Sequence, residues 1–320
     1  MNLPTPDRGE PKIMKSSQRV AIVGAGAMGC LFAARLASAG AEVTVIDVDA
    51  ARLAALGEHG ITLRDDGGER TVAVAARTAV AARGPVDLLM LFTKTIHSAA
   101  AIRSAAHLAG SDTYALTLQN GLGNAEAIAE VLPAERILVG FTDVPADLEG
   151  PTRVSSHGDG RIWLGGFVAE AMPGAERVAA LFRRAALNAE ADAQVQVAIW
   201  EKVAFNAALN SLATVTGLTV GGMDTPAGRR IAAAVVGEVA ATAAARGILV
   251  DRPSIDAKVA HALAHHRGHK ASMLQDRLAG PRTEIETING AVVRFAEDAG
   301  IAVPVTATLA DLVRLIEQPG

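Results

Sequence analysis

The run Val20-Ala21-Ile22-Val23-Gly24-Ala25-Gly26-Ala27-Met28-Gly29 constrains this chain more than any other, because it carries an apolar strand directly into Gly-x-Gly-x-x-Gly. A helical segment over residues 31–39 follows and is closed by Gly40. Each glycine at this spacing has its own use: Gly24 permits a tight turn, Gly26 lets the backbone approach a pyrophosphate, and Gly29 lets the helix lie close to the strand. The helix N-terminus then turns free N–H groups and the positive end of its dipole toward phosphates, which adds Ala27 and Met28 to the candidate cofactor-binding positions. A glycine turn alone also serves simply to reverse a chain. Here a second β-branched run over 42–46 leads to Asp47, eighteen residues past Gly29, where a carboxylate accepts hydrogen bonds from an adenosine ribose. Strand, turn, helix, strand and acid in register predict a unit that binds a dinucleotide.

Asp47 also bears on which dinucleotide is bound. A 2′-phosphate about 4 Å from this carboxylate would be repelled by about 4 kcal/mol at an effective dielectric near 20, which favours NADH over NADPH. Arg52 lies close enough in sequence to swing toward a 2′-phosphate, and Asp47 together with Asp49 also suits a helix N-terminal cap. Cys30 opens the first helix beside this turn. Without a partner cysteine or an adjoining base, it reads as a small packed hydrophobe rather than a redox group.

Beyond this unit, short β-branched runs alternate with alanine- and leucine-rich segments, the pattern of parallel strands joined by helical crossovers. Strands are predicted over 20–23, 42–46, 87–92, 114–118 and 137–141, and the apolar character of 88–92 suits a strand covered on both faces. Residues 153–156 and 161–164, separated by His157-Gly158-Asp159-Gly160, read as an antiparallel hairpin at the end of that sheet. After Val195 strand signals stop, and a boundary near Ala193 explains the change. The expected fold class is α/β: an N-terminal Rossmann-type doubly wound sheet over 18–193, then an all-α C-terminal substrate and catalytic domain over 194–320. Residues 1–17 hold three prolines and no apolar period, and are expected to form a flexible extension.

Composition removes several functions. A formal charge of −4 and 3% aromatic residues provide neither the basic surface nor the stacking groups that nucleic acids need. The single cysteine and the lack of a secretory pattern at the start point to a cytoplasmic protein. The weakly polar stretch 231–245 is too short to span a bilayer and carries Glu238, so it reads as a buried alanine-rich helix, and no membrane association is expected. His261, His265 and His269 have helical spacing with His266 beside them. No Glu or Cys stands at matching positions and Gly268 interrupts the helix, so a solvated face is expected and no metal site. No Gly-x-Ser-x-Gly elbow supports hydrolase chemistry.

Lys202, Asn206 and Asn210, spaced by four, form a polar stripe on a helix whose other positions are largely apolar. Asparagines are poor helix formers and costly if buried without partners, so the stripe serves either a site or a neighbouring helix. Farther on, Thr283 and Glu286 have capping-box spacing at the start of a helix over 285–299. That occupies Glu286 and leaves Glu284 free, with a favourable first-turn charge as its plain structural reading.

Six motifs in order resemble ketopantoate reductases. They are the glycine turn, Lys94 after an apolar strand, Asn120-Gly121-Leu122-Gly123, Trp200-x-Lys202-x-x-x-Asn206-x-x-x-Asn210, Ser272-Met273-Leu274-Gln275-Asp276, and Thr283-Glu284-Ile285-x-x-Ile288-Asn289-Gly290. The resemblance spans the chain from Arg19 and implies reduction of 2-dehydropantoate by NAD(P)H in a cleft between two domains. By that analogy Lys202 is the general acid and Glu284 tunes it or contacts the nicotinamide ribose. Lys94 and Asn120 stand beside cofactor and substrate, while Asn206, Asn210 and Ser272 hydrogen-bond the substrate. Many members carry an arginine after the second strand to hold a 2′-phosphate, where this chain has Asp47-Val48. An NAD-dependent D-2-hydroxyacid dehydrogenase of the same architecture is therefore the alternative enzyme, and a dinucleotide-sensing protein without turnover is the alternative of another class. Alanine-rich helices pack equally well within or between chains, so a homodimer is compatible with the sequence.

Overall fold

The computed structural model describes residues 18–280 and 283–318. The extension expected over 1–17 lies outside the described residues. The chain opens with β1 (Arg19–Val23), α1 (Ala27–Ser38), β2 (Glu42–Ile46) and α2 (Ala50–His59). Next come β3 (Ile61–Asp65), β4 (Gly68–Val72), β5 (Ala75–Arg77), β6 (Val86–Leu91), α3 (Ser98–Ala105), β7 (Ala109–Thr117), α4 (Asn124–Ala129) and β8 (Ile137–Thr142). The sheet region closes with β9 (Asp147–Leu148), β10 (Arg153–Ser156), β11 (Arg161–Gly166), α5 (Met172–Arg184) and β12 (Asn188–Ala191).

The main sheet has the order β12-β11-β8-β7-β6-β1-β2-β5. The chain winds outward from β1 through β2 to β5, then returns to β6 on the other side of β1, and these pairings are parallel. The direction reverses at β11, which pairs antiparallel with β8, and edge strand β12 runs parallel to β11. Winding in opposite directions from β1 opens a crevice at the carboxyl ends of β1 and β6, the place where doubly wound sheets bind ligands. Val20, Ile22, Leu89, Met90 and Leu91 are almost completely buried, since helices cover both faces of the sheet.

The expected hairpin over 153–164 does not form. β10 instead pairs parallel with β3 in a second sheet, β4-β3-β10-β9, while β11 joins the main sheet. The four residues between them cross from one sheet to the other, and Asp66 anchors the crossing by accepting from the Gly158 amide at 2.9 Å. Turn chemistry alone does not distinguish such a corner from a hairpin, because both need the same left-handed glycine. The second sheet also packs on α1, where buried Asp65 binds Arg35 and Arg70, each at 2.8 Å.

Beyond β12 the described residues are helical: α6 (Val195–Thr216), α7 (Pro226–Ala245), α8 (Arg252–His265), α9 (Ser272–Ala279), α10 (Asn289–Ala299) and α11 (Pro304–Ile316). Fully buried Ala204, Ala207 and Ala208 let neighbouring helices pack around α6, which forms the middle of the second core. The N-terminal half of α6 also packs on β8 and β11, so one helix belongs to the second core and faces the sheet. No helix among the described residues is long and apolar enough to cross a membrane.

Candidate active site

The glycine turn joins β1 to α1, and α1 starts at Ala27, four residues earlier than its apolar pattern suggests. Gly24 has φ +110°, and a Cβ there would lie 2.7 Å from the Phe92 carbonyl carbon. A Cβ on Gly29 would strike the Gly24 carbonyl oxygen, which is why helix and strand meet this closely only with glycine. Gly26, by contrast, has open space where a Cβ would stand. Gly26, Ala27 and Met28 are half-buried while Gly24, Ala25 and Gly29 are buried, so the open side of the turn is a cradle at the helix N-terminus. These residues fit a dinucleotide pyrophosphate.

Asp47 follows β2, and its carboxylate accepts from the amides of Ala25 at 2.6 Å, Val48 at 2.7 Å and Asp49 at 3.0 Å. The cap of α2 is Asp49, which accepts from the Arg52 amide at 3.0 Å, so Asp47 does not serve as the helix cap. Cys30 is fully buried, and burial pushes its thiol up to about 11, which keeps it protonated and unreactive.

Opposite the cradle, the loop after β7 docks on the helical domain. Gly121 takes φ +84° against the Thr287 backbone, and the Leu122 amide donates to the Thr287 carbonyl at 2.7 Å. This contact brings Asn120 to Glu284, whose Oε2 accepts from the Asn120 amide at 3.3 Å. A cavity of about 290 Å³ lies there, lined by Lys94, Asn120, Ser272, Asp276, Glu284 and Thr287. Asn210, at the base of the polar stripe, donates to Ser272 Oγ at 3.2 Å. Asn120, Lys202 and Asn206 share a smaller adjoining pocket with Phe141. All the substrate-side candidates therefore converge on one cleft, although Lys202 is turned toward the end of β8. Its ammonium lies 3.4 Å from the Thr142 carbonyl oxygen and 5.3 Å from the centre of the Phe141 ring.

Burial sets the electrostatics of this cleft. It pushes the Lys202 ammonium below the ordinary lysine range, opposed by the attraction of Glu284 and Asp143. It also pushes the Glu284 carboxyl above the usual carboxylate range, assisted by repulsion from Asp276 and opposed by the Asn120 hydrogen bond, Lys202 and Lys94. Burial raises Asp276 as well. An acid and a base brought toward each other in this way suit proton transfer.

Two parts of the site differ from the sequence reading. The capping box at Thr283 is absent, and the helix expected from residue 285 begins at Asn289. Glu286 binds Arg314 through two bonds of 2.7 and 2.8 Å, and the Thr283 amide donates to Glu317 at 2.7 Å. Charged partners on α11 displace the local cap because a two-point guanidinium bond outweighs a side-chain bond to one backbone amide. Residues 284–288 thus form a turn that places Glu284 in the cavity. Asp276, which the sequence offers only as the end of a family motif, and Phe141 also line the site, and neither carries a role in the sequence reading. Asp276 stands four residues after Ser272 on one face of α9, a spacing that would have pointed to it. Phe141 is brought there by the pairing of β8 and has no comparable signal.

Of the histidines, His261 and His266 line the groove that reaches Lys202 from α8. His261 and His265 stack with ring centres 4.2 Å apart. A cavity of about 940 Å³ behind the cleft, lined by Phe167, Met172 and Arg246, contains none of the site residues, and Arg246 there is paired with Glu126 at 2.9 Å.

Comparison with known proteins covers both halves of the chain. Residues 20–168 match the family described as ketopantoate reductase PanE/ApbA, and residues 194–317 match its C-terminal portion. A 2-dehydropantoate 2-reductase of Halobacterium salinarum is 33% identical over 304 residues, covering 94% of this chain and 100% of that protein. Among solved structures, a D-mandelate dehydrogenase with NADH and anilino(oxo)acetate has a TM-score of 0.83 at 31% identity, covering 93% of this chain and 98% of the other. A 2-dehydropantoate 2-reductase from Geobacter metallireducens GS-15 has a TM-score of 0.79 at 30% identity, covering 93% and 99%. With both domains matched and the ordered motifs gathered in one cleft, the chain belongs to the ketopantoate reductase family.

Proposed function

We propose that this protein reduces the ketone of a small 2-keto acid, 2-dehydropantoate, to the 2-hydroxy acid at the expense of a nicotinamide cofactor. The observation that carries the reading is the meeting of Asn120, Lys202, Asn206 and Glu284 in one cleft. We assign residues 18–193 to dinucleotide binding and 194–320 to substrate binding and catalysis, with Gly24, Gly26, Ala27, Met28, Gly29, Asp47 and Lys94 toward the cofactor. A bound nicotinamide supplies the hydride. Lys202 donates the proton to the ketone oxygen, where negative charge develops and a positioned ammonium stabilises it most in the transition state. Glu284 tunes and orients that ammonium. Asn120, Asn206, Asn210 and Ser272 pair with the substrate's hydroxyl and carboxylate, so analogues lacking those groups leave buried polar atoms unpaired.

NADH is the favoured cofactor, because Asp47 stands at the end of β2, where a 2′-phosphate would meet a carboxylate. A second reading, an NAD-dependent D-2-hydroxyacid dehydrogenase, draws support from the groove of about 780 Å³ that reaches Lys202 between Phe141, Phe205 and α8. Its mostly apolar walls suit a bulkier acid than 2-dehydropantoate. Initial rates with 2-dehydropantoate, 2-ketoisocaproate and phenylglyoxylate, each with NADH and NADPH, test both readings. Highest kcat/KM on 2-dehydropantoate is expected, and faster turnover of the branched or aromatic acid with NADH would transfer the assignment. Cofactor binding without turnover of any acid would leave only a sensor.

A further inference from the structure

The backbone of Ala25, inside the glycine turn, is gripped on both sides by the segment that follows β2. Its N–H donates to Asp47 Oδ2 at 2.6 Å, and its carbonyl accepts from Arg52 Nη1 at 2.8 Å. The Cys30 thiol donates to the same carbonyl at 3.4 Å. Arg52 stands in the first turn of α2, and its Nε is buried with no hydrogen-bond partner while Asp49 lies 3.9 Å away. The bond to Ala25 is therefore the contact that orients the guanidinium.

Peptide planarity gives this contact a consequence beyond the turn. The Ala25 carbonyl and the Gly26 N–H belong to one rigid plane and point in opposite directions across it. Drawing the carbonyl inward onto a half-buried cation aims the Gly26 N–H the other way, toward the half-buried open side of the turn. Asp47 fixes the preceding plane in the same manner through the Ala25 N–H. A charge-assisted bond from a planar guanidinium holds that orientation more firmly than a neutral donor would.

We propose that Arg52 is a positioning residue for dinucleotide binding, which holds the Ala25–Gly26 peptide with its N–H turned toward the pyrophosphate. Engaged beneath the turn, Arg52 does not anchor a 2′-phosphate, so the two charged residues after β2 have different duties: Asp47 discriminates between the dinucleotides, and Arg52 strengthens the grip on both. The inference rests on the nicotinamide-dependent reading above.

The test compares the unaltered protein with Arg52→Ala, Arg52→Gln and Arg52→Lys. NADH and NADPH affinities are measured by fluorescence titration without substrate, alongside kcat, KM and thermal midpoints. Losing a charge-assisted bond is expected to weaken both dinucleotides by about tenfold or more in Arg52→Ala, by a similar factor for each. The loss should appear in KM more than in kcat, with Arg52→Lys intermediate and partial recovery of Arg52→Ala on adding guanidinium ion. Weakening of NADPH alone would show that Arg52 holds the 2′-phosphate, and unchanged affinities in Arg52→Gln and Arg52→Ala would show a purely structural contact. Either result overturns the proposal. Should Arg52→Ala fail to fold, the titrations of Arg52→Lys and Arg52→Gln decide the matter. Because these titrations need no turnover, they separate failure of this inference from failure of the catalytic reading.

Discussion

The side-chain amide of Asn120 donates to Glu284 Oε2 at 3.3 Å, joining residues 164 apart in sequence and linking the loop after β7 to the helical domain. The bond stabilises the ionised form of a carboxyl whose pKa burial pushes upward. Removing it is expected to raise the Glu284 pKa further. If the carboxylate is the active form, the acid limb of kcat/KM against pH moves to higher pH in Asn120→Ala. An unmoved acid limb would disconnect this bond from the reaction.

Lys202→Ala is expected to lower kcat by at least about a hundredfold at saturating substrate, within the usual range for general acid catalysis. For ketone reduction the active form is the ammonium. Activity should fall as pH rises through its depressed pKa, at a pH below that of an ordinary lysine. The Glu284 charge raises that pKa, so Glu284→Gln should move the alkaline limb lower still. A full pH profile of each variant checks both directions, and near-normal kcat in Lys202→Ala would remove it from the role of acid.

Asp47→Ser should raise kcat/KM for NADPH relative to that for NADH by about tenfold or more, since a like-charge contact at short range is worth several kcal/mol at an effective dielectric near 20 before screening. Some loss of NADH affinity should accompany it, because the same carboxylate holds the Ala25 amide. Dividing kcat/KM for NADPH by that for NADH separates the two effects.

Gly29→Ala places a methyl group against the Gly24 carbonyl oxygen, a backbone atom that a side-chain rotation cannot move aside. Overpacking of this kind costs about 1–3 kcal/mol, and here it also disturbs the turn. A lowered thermal midpoint together with weakened NADH binding is expected. Gly26→Ala meets open space and should leave the midpoint almost unchanged while still obstructing the dinucleotide.

The glycine turn, both flanking strands and the polar stripe of α6 were legible because each depends on periodicity or on glycine at fixed offsets, and such signals act over a single element. The same reasoning failed at 157–160, where a turn compatible with a hairpin connects two sheets. It failed again at Thr283, where Arg314, 28 residues beyond Glu286, takes the carboxylate that a local cap would have used. In both places the competing partner is distant in sequence and stronger than the local one.

Lys202, Asn206 and Asn210 share a helix face by virtue of their spacing alone, and Asp47 ends its strand for reasons written in the residues around it. Which groups those residues meet was decided by folding. The docking of Leu122 on Thr287 brings Asn120 to Glu284, the packing of α6 on the sheet sets Lys202 beside Phe141, and the start of α2 slides Arg52 under Ala25. Local sequence sets the direction of a side chain through backbone geometry, whereas a buried charge finds its partner only when distant segments close around it and exclude water.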